Sequence, residues 1–348
     1  MELRILKRLF TVEEAQLALH TTMIPEEAKV IARRAKLTVK ETVKKLDRME
    51  QKGLIFSIKF PKKPKFYMAA QYVIGIWEYQ VDKLDPELIK DMNEYLPTFV
   101  DLDIWKKAPQ LRTIPVKQSL ESSLEVMPYE RAENLVRKQK KLRVVPCICR
   151  REHRIVGEGC DKPEEACLVF GMAAYYYENR GVGREIDVDE CLKILKLADK
   201  AGLVLQPNNA QKLYNICCCC GCCCQVLIHI GKHPKPAELV SSPFIASLEE
   251  ETCENCEVCI TRCQMKAISK GDENVKLNPD RCIGCGLCVT TCPTKSFTLI
   301  RKPSSNQPHV PANMIETQLQ LGRARNKLGS AQLLKMSLKS KWHRMLAK

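Results

Sequence analysis

Between Cys253 and Cys292 eight cysteines fall into two copies of one spacing. The first is Cys253-x2-Cys256-x2-Cys259-x3-Cys263; the second is Cys282-x2-Cys285-x2-Cys288-x3-Cys292, followed by Pro293. Aligning CENCEVCITRCQMKAI with CIGCGLCVTTCPTKSF makes this an internal repeat with a period of 29 residues. The chain has 20 cysteines, all between Cys147 and Cys292. Its opening, MELRILKRLF, lacks the long apolar core of a secretory signal, and neighbouring cysteines cannot all meet disulfide geometry. Clustered thiols in that setting favour metal ligation over disulfide bridges.

The repeat resembles the bacterial-type ferredoxin with two [4Fe-4S] clusters, over about residues 245–300. Three thiolates on one tight loop suit three irons of a cubane, with the fourth ligand coming from the other repeat. The resemblance implies that Cys253, Cys256, Cys259 and Cys292 hold one cluster, and that Cys282, Cys285, Cys288 and Cys263 hold the other. Gly284 and Gly286 leave room for close backbone approach and for amide hydrogen bonds to sulfur. The first repeat departs from this pattern, with Asn255 and Glu257 around Cys256 and Gln264 in place of the proline. The two clusters should therefore differ in potential.

Upstream lies NICCCCGCCCQ, which puts Cys217, Cys218, Cys219, Cys220, Cys222, Cys223 and Cys224 into eight consecutive residues. Cys147, Cys149, Cys160 and Cys167 precede it, making eleven candidate ligands for one or two further iron–sulfur clusters. Side chains on an extended strand alternate between faces, so consecutive cysteines do not easily ligate one metal from the same side. Gly221 divides the run and permits a tight turn. Arg150, Arg151, His153 and Arg154 would favour thiolates and offset cluster charge. His153 is a minor candidate ligand, and His229 and His233 rank below it. Cys191, on an expected helix from Asp187 to Ala201, reads as a buried structural thiol. The whole chain is similar to dicluster ferredoxin proteins of anaerobes that carry an additional cysteine-rich module.

The net charge of +15 is concentrated in two segments. From Lys29 to Lys65 thirteen Lys/Arg face three acids, and from Arg301 to Lys348 ten face one. In the first segment, Thr38 and Glu41 form a capping box for a helix whose Val39, Val43, Leu46 and Met49 recur at helical spacing. Two strands, Leu54–Phe60 and Lys65–Ala70, flank the turn PKKP. The segment resembles the winged helix-turn-helix of bacterial and archaeal regulators over roughly residues 5–75. Lys40, Lys44, Lys45, Arg48, Lys62, Lys63 and Lys65 would then meet DNA phosphates or a protein partner, with Arg48 and Gln51 as candidate base readers. Both uses of the surface stay open, since a fold does not establish a function.

The expected architecture is α+β and multidomain. A winged-helix domain at 1–75 is followed by a helical connecting region at 76–141, with helices at Gln71–Tyr79, Asp85–Leu96 and Tyr129–Lys141. A cysteine-rich α+β module at 142–240 opens with the extended stretch LRVVPCIC, and a small dicluster domain covers 245–300. Residues 301–348 form a linker and a basic tail whose helical pattern is interrupted at Gly322 and Gly329.

No run of 18 apolar residues and no nucleotide-binding glycine motif is present. The sequence thus leads to an iron–sulfur electron-transfer protein, cytoplasmic and without a membrane span, that relays single electrons to or from an acidic partner oxidoreductase. Two alternatives are a redox-responsive winged-helix DNA-binding regulator and an oxidoreductase with an unusual catalytic cluster. The sequence names no catalytic residue, no substrate and no oligomeric state.

Overall fold

The computed structural model describes the chain apart from residues 60–61, 117–118, 121–123, 128–129 and 348. Phe60 and Pro61 of the expected wing, and Tyr129 at the expected start of a helix, lie outside the described residues. The chain divides into two compact units, one of Met1–Val100, Met172–Gly183 and Arg325–Lys348, the other of Asp101–Gly171 and Arg184–Ala324. The segment 142–240 thus lends twelve residues, 172–183, to the first unit, and the basic tail is shared between the two.

In the first unit the helix Val39–Gln51 starts at the expected capping box, with Thr38 accepting from the Glu41 amide and Glu41 closing back on Thr38. Its buried face is Thr42, Leu46, Met49 and Glu50, not the expected set, because Val39 is half exposed. Gly53 follows at φ 76°, where a Cβ would lie 2.7 Å from that of Tyr79. Strands β1 (Glu26–Glu27), β2 (Ile55–Lys59) and β3 (Lys65–Ala69) form an antiparallel sheet in the order β1-β3-β2. Glu26 and Glu27 pair with β3, and the helix that follows them is Ala28–Ala35. Residues 71–79 are not the expected helix either. Val73, Ile74 and Gly75 take non-helical backbone angles, as two β-branched residues before a glycine favour, and only Glu78–Gln80 form a 3-10 turn. Asp85 caps the helix Pro86–Phe99 by accepting from the Leu88 amide.

The second unit is built on an antiparallel sheet of five strands, β4 (Leu142–Pro146), β5 (Glu165–Phe170), β6 (Arg184–Ile186), β7 (Val204–Pro207) and β8 (Asn215–Cys219). Their order is β6-β4-β5-β8-β7. The expected extended stretch through Cys149 is cut short. Pro146 ends β4 at a register shift, Cys147 caps the helix Ile148–Ile155, and Cys149 is therefore helical. The helix Val188–Lys200, capped by Asp187, packs Cys191, Leu195 and Ala198 into the sheet's core. Strands β9 (Phe244–Leu248) and β12 (Phe297–Arg301) pair antiparallel and bracket the cysteine repeat, within which β10 (Ile268–Ser269) pairs with β11 (Lys276–Leu277). The helix Met314–Ala324 runs through Gly322, which does not interrupt it, and the helix Ser330–Leu346 follows. No helix among the described residues is long and apolar enough to cross a membrane.

Candidate metal centres

Strand β8 explains how the run of cysteines is divided. Cys217 lies opposite Cys167 of β5, and alternation sends Cys217 and Cys219 to one face and Cys218 to the other. Cys217 contacts the thiols of Cys167 and Cys219, which hold it well below an ordinary thiol pKa. Cys219 in turn contacts Cys224, and Cys224 contacts Cys149, which contacts Cys147. The result is one connected set of six thiols, Cys147, Cys149, Cys167, Cys217, Cys219 and Cys224. Cys147 and Cys224 each occupy the N-cap of an eight-residue helix, Ile148–Ile155 and Gln225–Lys232, where the positive end of the helix dipole favours a thiolate.

After β8 the chain turns through Gly221 and gathers a second set. The sulfurs of Cys160, Cys220, Cys222 and Cys223 all lie within 4.8 Å of one another. Eleven candidates thus become six plus four. Cys218 is left over, fully buried in the sheet's core with Cys191, and burial raises the pKa of both thiols.

Among the described residues Arg150 is the largest fully buried side chain. Its guanidinium donates to the Cys218 carbonyl through both terminal nitrogens and, through Nε at 3.0 Å, to the Pro163 carbonyl. Burial works against its charge, but the nearby sulfurs of Cys147, Cys220, Cys219 and Cys218 outweigh this and raise its pKa. A buried cation held by carbonyls and facing thiols is suited to offset the charge of bound thiolates. His153 Nδ1 lies 2.8 Å from the Cys149 carbonyl, and His229 Nδ1 lies 2.8 Å from that of Gln225. Neither Nδ1 is turned towards a sulfur.

In the repeat, the structure reproduces the 29-residue period at the level of backbone angles. Helix Val258–Arg262 corresponds to Leu287–Thr291. Asn255 and Glu257 adopt φ 48° and 61°, matching Gly284 at 67° and Gly286 at 76°. The non-glycine residues of the first repeat therefore accept the same left-handed turn. In the second repeat a side chain is also excluded by space, because a Cβ at Gly284 would lie 2.2 Å from the Phe244 carbonyl oxygen.

Burial pushes Cys259 up to about 11, with smaller contributions from Cys256, Cys292 and Cys253. Burial likewise pushes Cys285 up to about 12 and raises Cys288 further, and both sense Cys282 and Cys263. Cys259 thus neighbours Cys253, Cys256 and Cys292, while Cys285 and Cys288 neighbour Cys263 and Cys282, with Cys259 also near Cys288. Main-chain and hydroxyl donors reach the sulfurs: the Ala246 amide to Cys282 at 3.4 Å, the Ala267 amide to Cys263 at 3.1 Å, and the Thr294 hydroxyl 3.4 Å from Cys292.

The two cysteine regions meet directly. Gln264, next to Cys263, accepts the Gly221 amide on its Oε1 at 2.7 Å, and a Cβ on Gly221 would lie 2.5 Å from the Gln264 carbonyl oxygen. Met265 is buried in the same core as Cys219, Cys220, Cys223 and Cys224. The sequence marked Gln264 only as a departure from proline; its docking role needs the tertiary fold.

The seven basic candidates of the first unit are not equivalent. Arg48 and Lys52 pair with buried Glu14 at 3.1 and 2.5 Å, Lys45 lies 3.5 Å from Glu13, and Lys65 pairs with Asp47 at 2.9 Å and with Glu50. Gln51 donates to the Asn179 carbonyl. Lys40, Lys44, Lys62 and Lys63 are exposed.

Residues 246–299 match the family model of the 4Fe-4S dicluster domain. This part of the chain is an iron–sulfur domain. No curated protein and no solved structure matches the chain.

Proposed function

We propose that the chain is an iron–sulfur electron-transfer protein. Its dicluster domain exchanges single electrons with a further iron–sulfur centre on the six-thiol set, and through it with a partner oxidoreductase. Bound [4Fe-4S] clusters supply one-electron redox chemistry that asks no nucleophile or general base of the protein. In this reading Cys253, Cys256, Cys259 and Cys292 ligate one cluster, and Cys263, Cys282, Cys285 and Cys288 the other. Cys147, Cys149, Cys167, Cys217, Cys219 and Cys224 provide the ligands of the third centre. Six thiols exceed the four that a cubane takes, which leaves sulfurs to bridge metals or to stand free.

The observation that carries the proposal is the contact between Gln264 and Gly221. It joins Gln264, the residue after Cys263, to Gly221 in the turn that links the two thiol sets of the middle module. Arg150 and the two helix N-termini would stabilise the charge this module accumulates. The basic exposed lysines suit an acidic partner, so partner reduction should slow as salt is raised.

The test is reduction of the full chain by a low-potential donor, followed by optical and EPR spectra of the dicluster signals and any additional signal. Transfer that stops at the dicluster domain would contradict the proposal. A second reading, the redox-responsive DNA-binding regulator, draws on exposed Lys40, Lys44, Lys62 and Lys63. The carboxylate pairing of Lys45, Arg48 and Lys65 weighs against it. No binding of random or promoter DNA at low salt would remove that reading.

A further inference from the structure

The four-thiol set behaves differently from a cluster site. All four of its sulfurs lie within 4.8 Å of one another, too close for a cubane, whereas the six-thiol set is linked only pair by pair. Cys223 lies 3.6 Å from Cys160 and 3.8 Å from Cys222, sulfur to sulfur, and Cys160 also contacts the thiols of Cys222 and Cys220. The irons and sulfides of a cubane hold its four thiolates apart, at about 6 Å from one another. A single tetrahedral ion with metal–sulfur bonds of about 2.3 Å instead sets sulfur–sulfur edges of about 3.8 Å. The bound of 4.8 Å on every sulfur–sulfur distance lies on the single-ion side.

We infer that Cys160, Cys220, Cys222 and Cys223 bind one tetrahedral thiophilic metal ion, Zn2+ by preference, separate from the iron–sulfur centres. This site goes beyond the electron-transfer reading and does not depend on it. Four thiolates with no further ligand make a closed site, the form used for structural ions. The surroundings fit: the Lys162 amide donates to the Cys160 sulfur, the Cys223 amide donates to the Cys220 sulfur, and the buried Arg150 guanidinium faces Cys220. Cys222 is exposed and Cys160 half-buried, which gives the ion a way in. Its role follows from the sequence distances it spans. The ion ties the loop around Cys160 to the turn Cys220–Cys223, the same turn whose Gly221 docks on Gln264. It would hold the end of β8 in the register that aims Cys217 and Cys219 at one face.

The full chain, purified anaerobically from cells supplied with both metals, should contain one zinc per molecule. The double variant Cys160→Ser/Cys222→Ser should lose that zinc and keep its iron and acid-labile sulfide. A zinc-edge X-ray absorption spectrum of the unsubstituted protein reads the same site without any variant, and should show one shell of four sulfurs at about 2.3 Å. A single sulfide-free iron lost in the same variant also supports a tetrahedral one-ion site. Loss of iron and sulfide together, at about four each, would overturn the proposal. So would an unsubstituted chain with neither zinc nor sulfide-free iron. Iron and sulfide on the six-thiol set are counted separately, so failure here and failure of the electron-transfer reading are distinguishable.

Discussion

The side-chain oxygen of Gln264 accepts the main-chain amide of Gly221 at 2.7 Å, joining the first ferredoxin-like repeat to the turn of the cysteine run. Where the second repeat has Pro293, the first has a residue able to accept this bond. The departure from the repeat is thus a docking feature.

Gln264→Pro should remove that bond, at a cost of about 1 kcal/mol in stability. Gly221→Ala should cost more, roughly 1–3 kcal/mol, because its Cβ would overlap the Gln264 carbonyl oxygen at 2.5 Å. Chemical denaturation of the loaded protein checks the order. Equal stability of Gly221→Ala and the parent chain would show that the junction is loose.

Within the run, neighbouring substitutions should have opposite outcomes. Cys218→Ala removes a buried side chain of the sheet's core and should leave iron and sulfide unchanged, with a packing loss of about 1 kcal/mol. Cys217→Ser or Cys219→Ser should lose the middle iron–sulfur centre. Metal analysis of the three variants tests the alternation of β8 directly.

Arg150→Met keeps much of the side chain's volume and removes its charge. Without a cation facing the thiols, the reduced state of the middle centre is disfavoured and its potential should fall. Potentiometric titration reads this shift, and an unchanged potential would mean that Arg150 serves packing alone.

In the first unit, Glu14 is buried against Lys52 and Arg48 and accepts the Thr11 amide at 2.9 Å. Burial alone would raise its pKa, but the Lys52 and Thr11 hydrogen bonds outweigh it and hold the carboxyl below its usual value. A lowered folded pKa contributes stability above the unfolded value, about 4.3, and that stability is lost as pH falls through the folded one. Glu14→Gln should therefore cost about 1–3 kcal/mol near neutral pH, with the difference from the parent chain shrinking below about pH 4. Unfolding measured at pH 7 and at pH 3 gives the comparison.

Much of the dicluster region could be read from the sequence, because cluster ligation fixes both residue type and spacing. The capping boxes at Thr38 and the cap at Asp187 were equally legible, being local hydrogen-bond patterns. The grouping of the eleven middle cysteines was not. Alternation along β8 explains why Cys218 parts from Cys217 and Cys219, but Cys160 joins Cys220 only through a contact spanning sixty residues. The ion pairs of the basic face were not legible for a related reason: Glu14, which pairs with Arg48 and Lys52, lies on the helix Val12–Ala18, far from them in sequence.

The most direct measurement is an iron and sulfide count coupled to an EPR-monitored reductive titration of the full chain, beside a Cys217→Ser/Cys219→Ser variant. The account predicts more than the roughly eight irons and eight sulfides that two cubanes hold, and a signal beyond those of the dicluster domain that vanishes in the variant. About eight of each, with superimposable titrations for the two proteins, would contradict it.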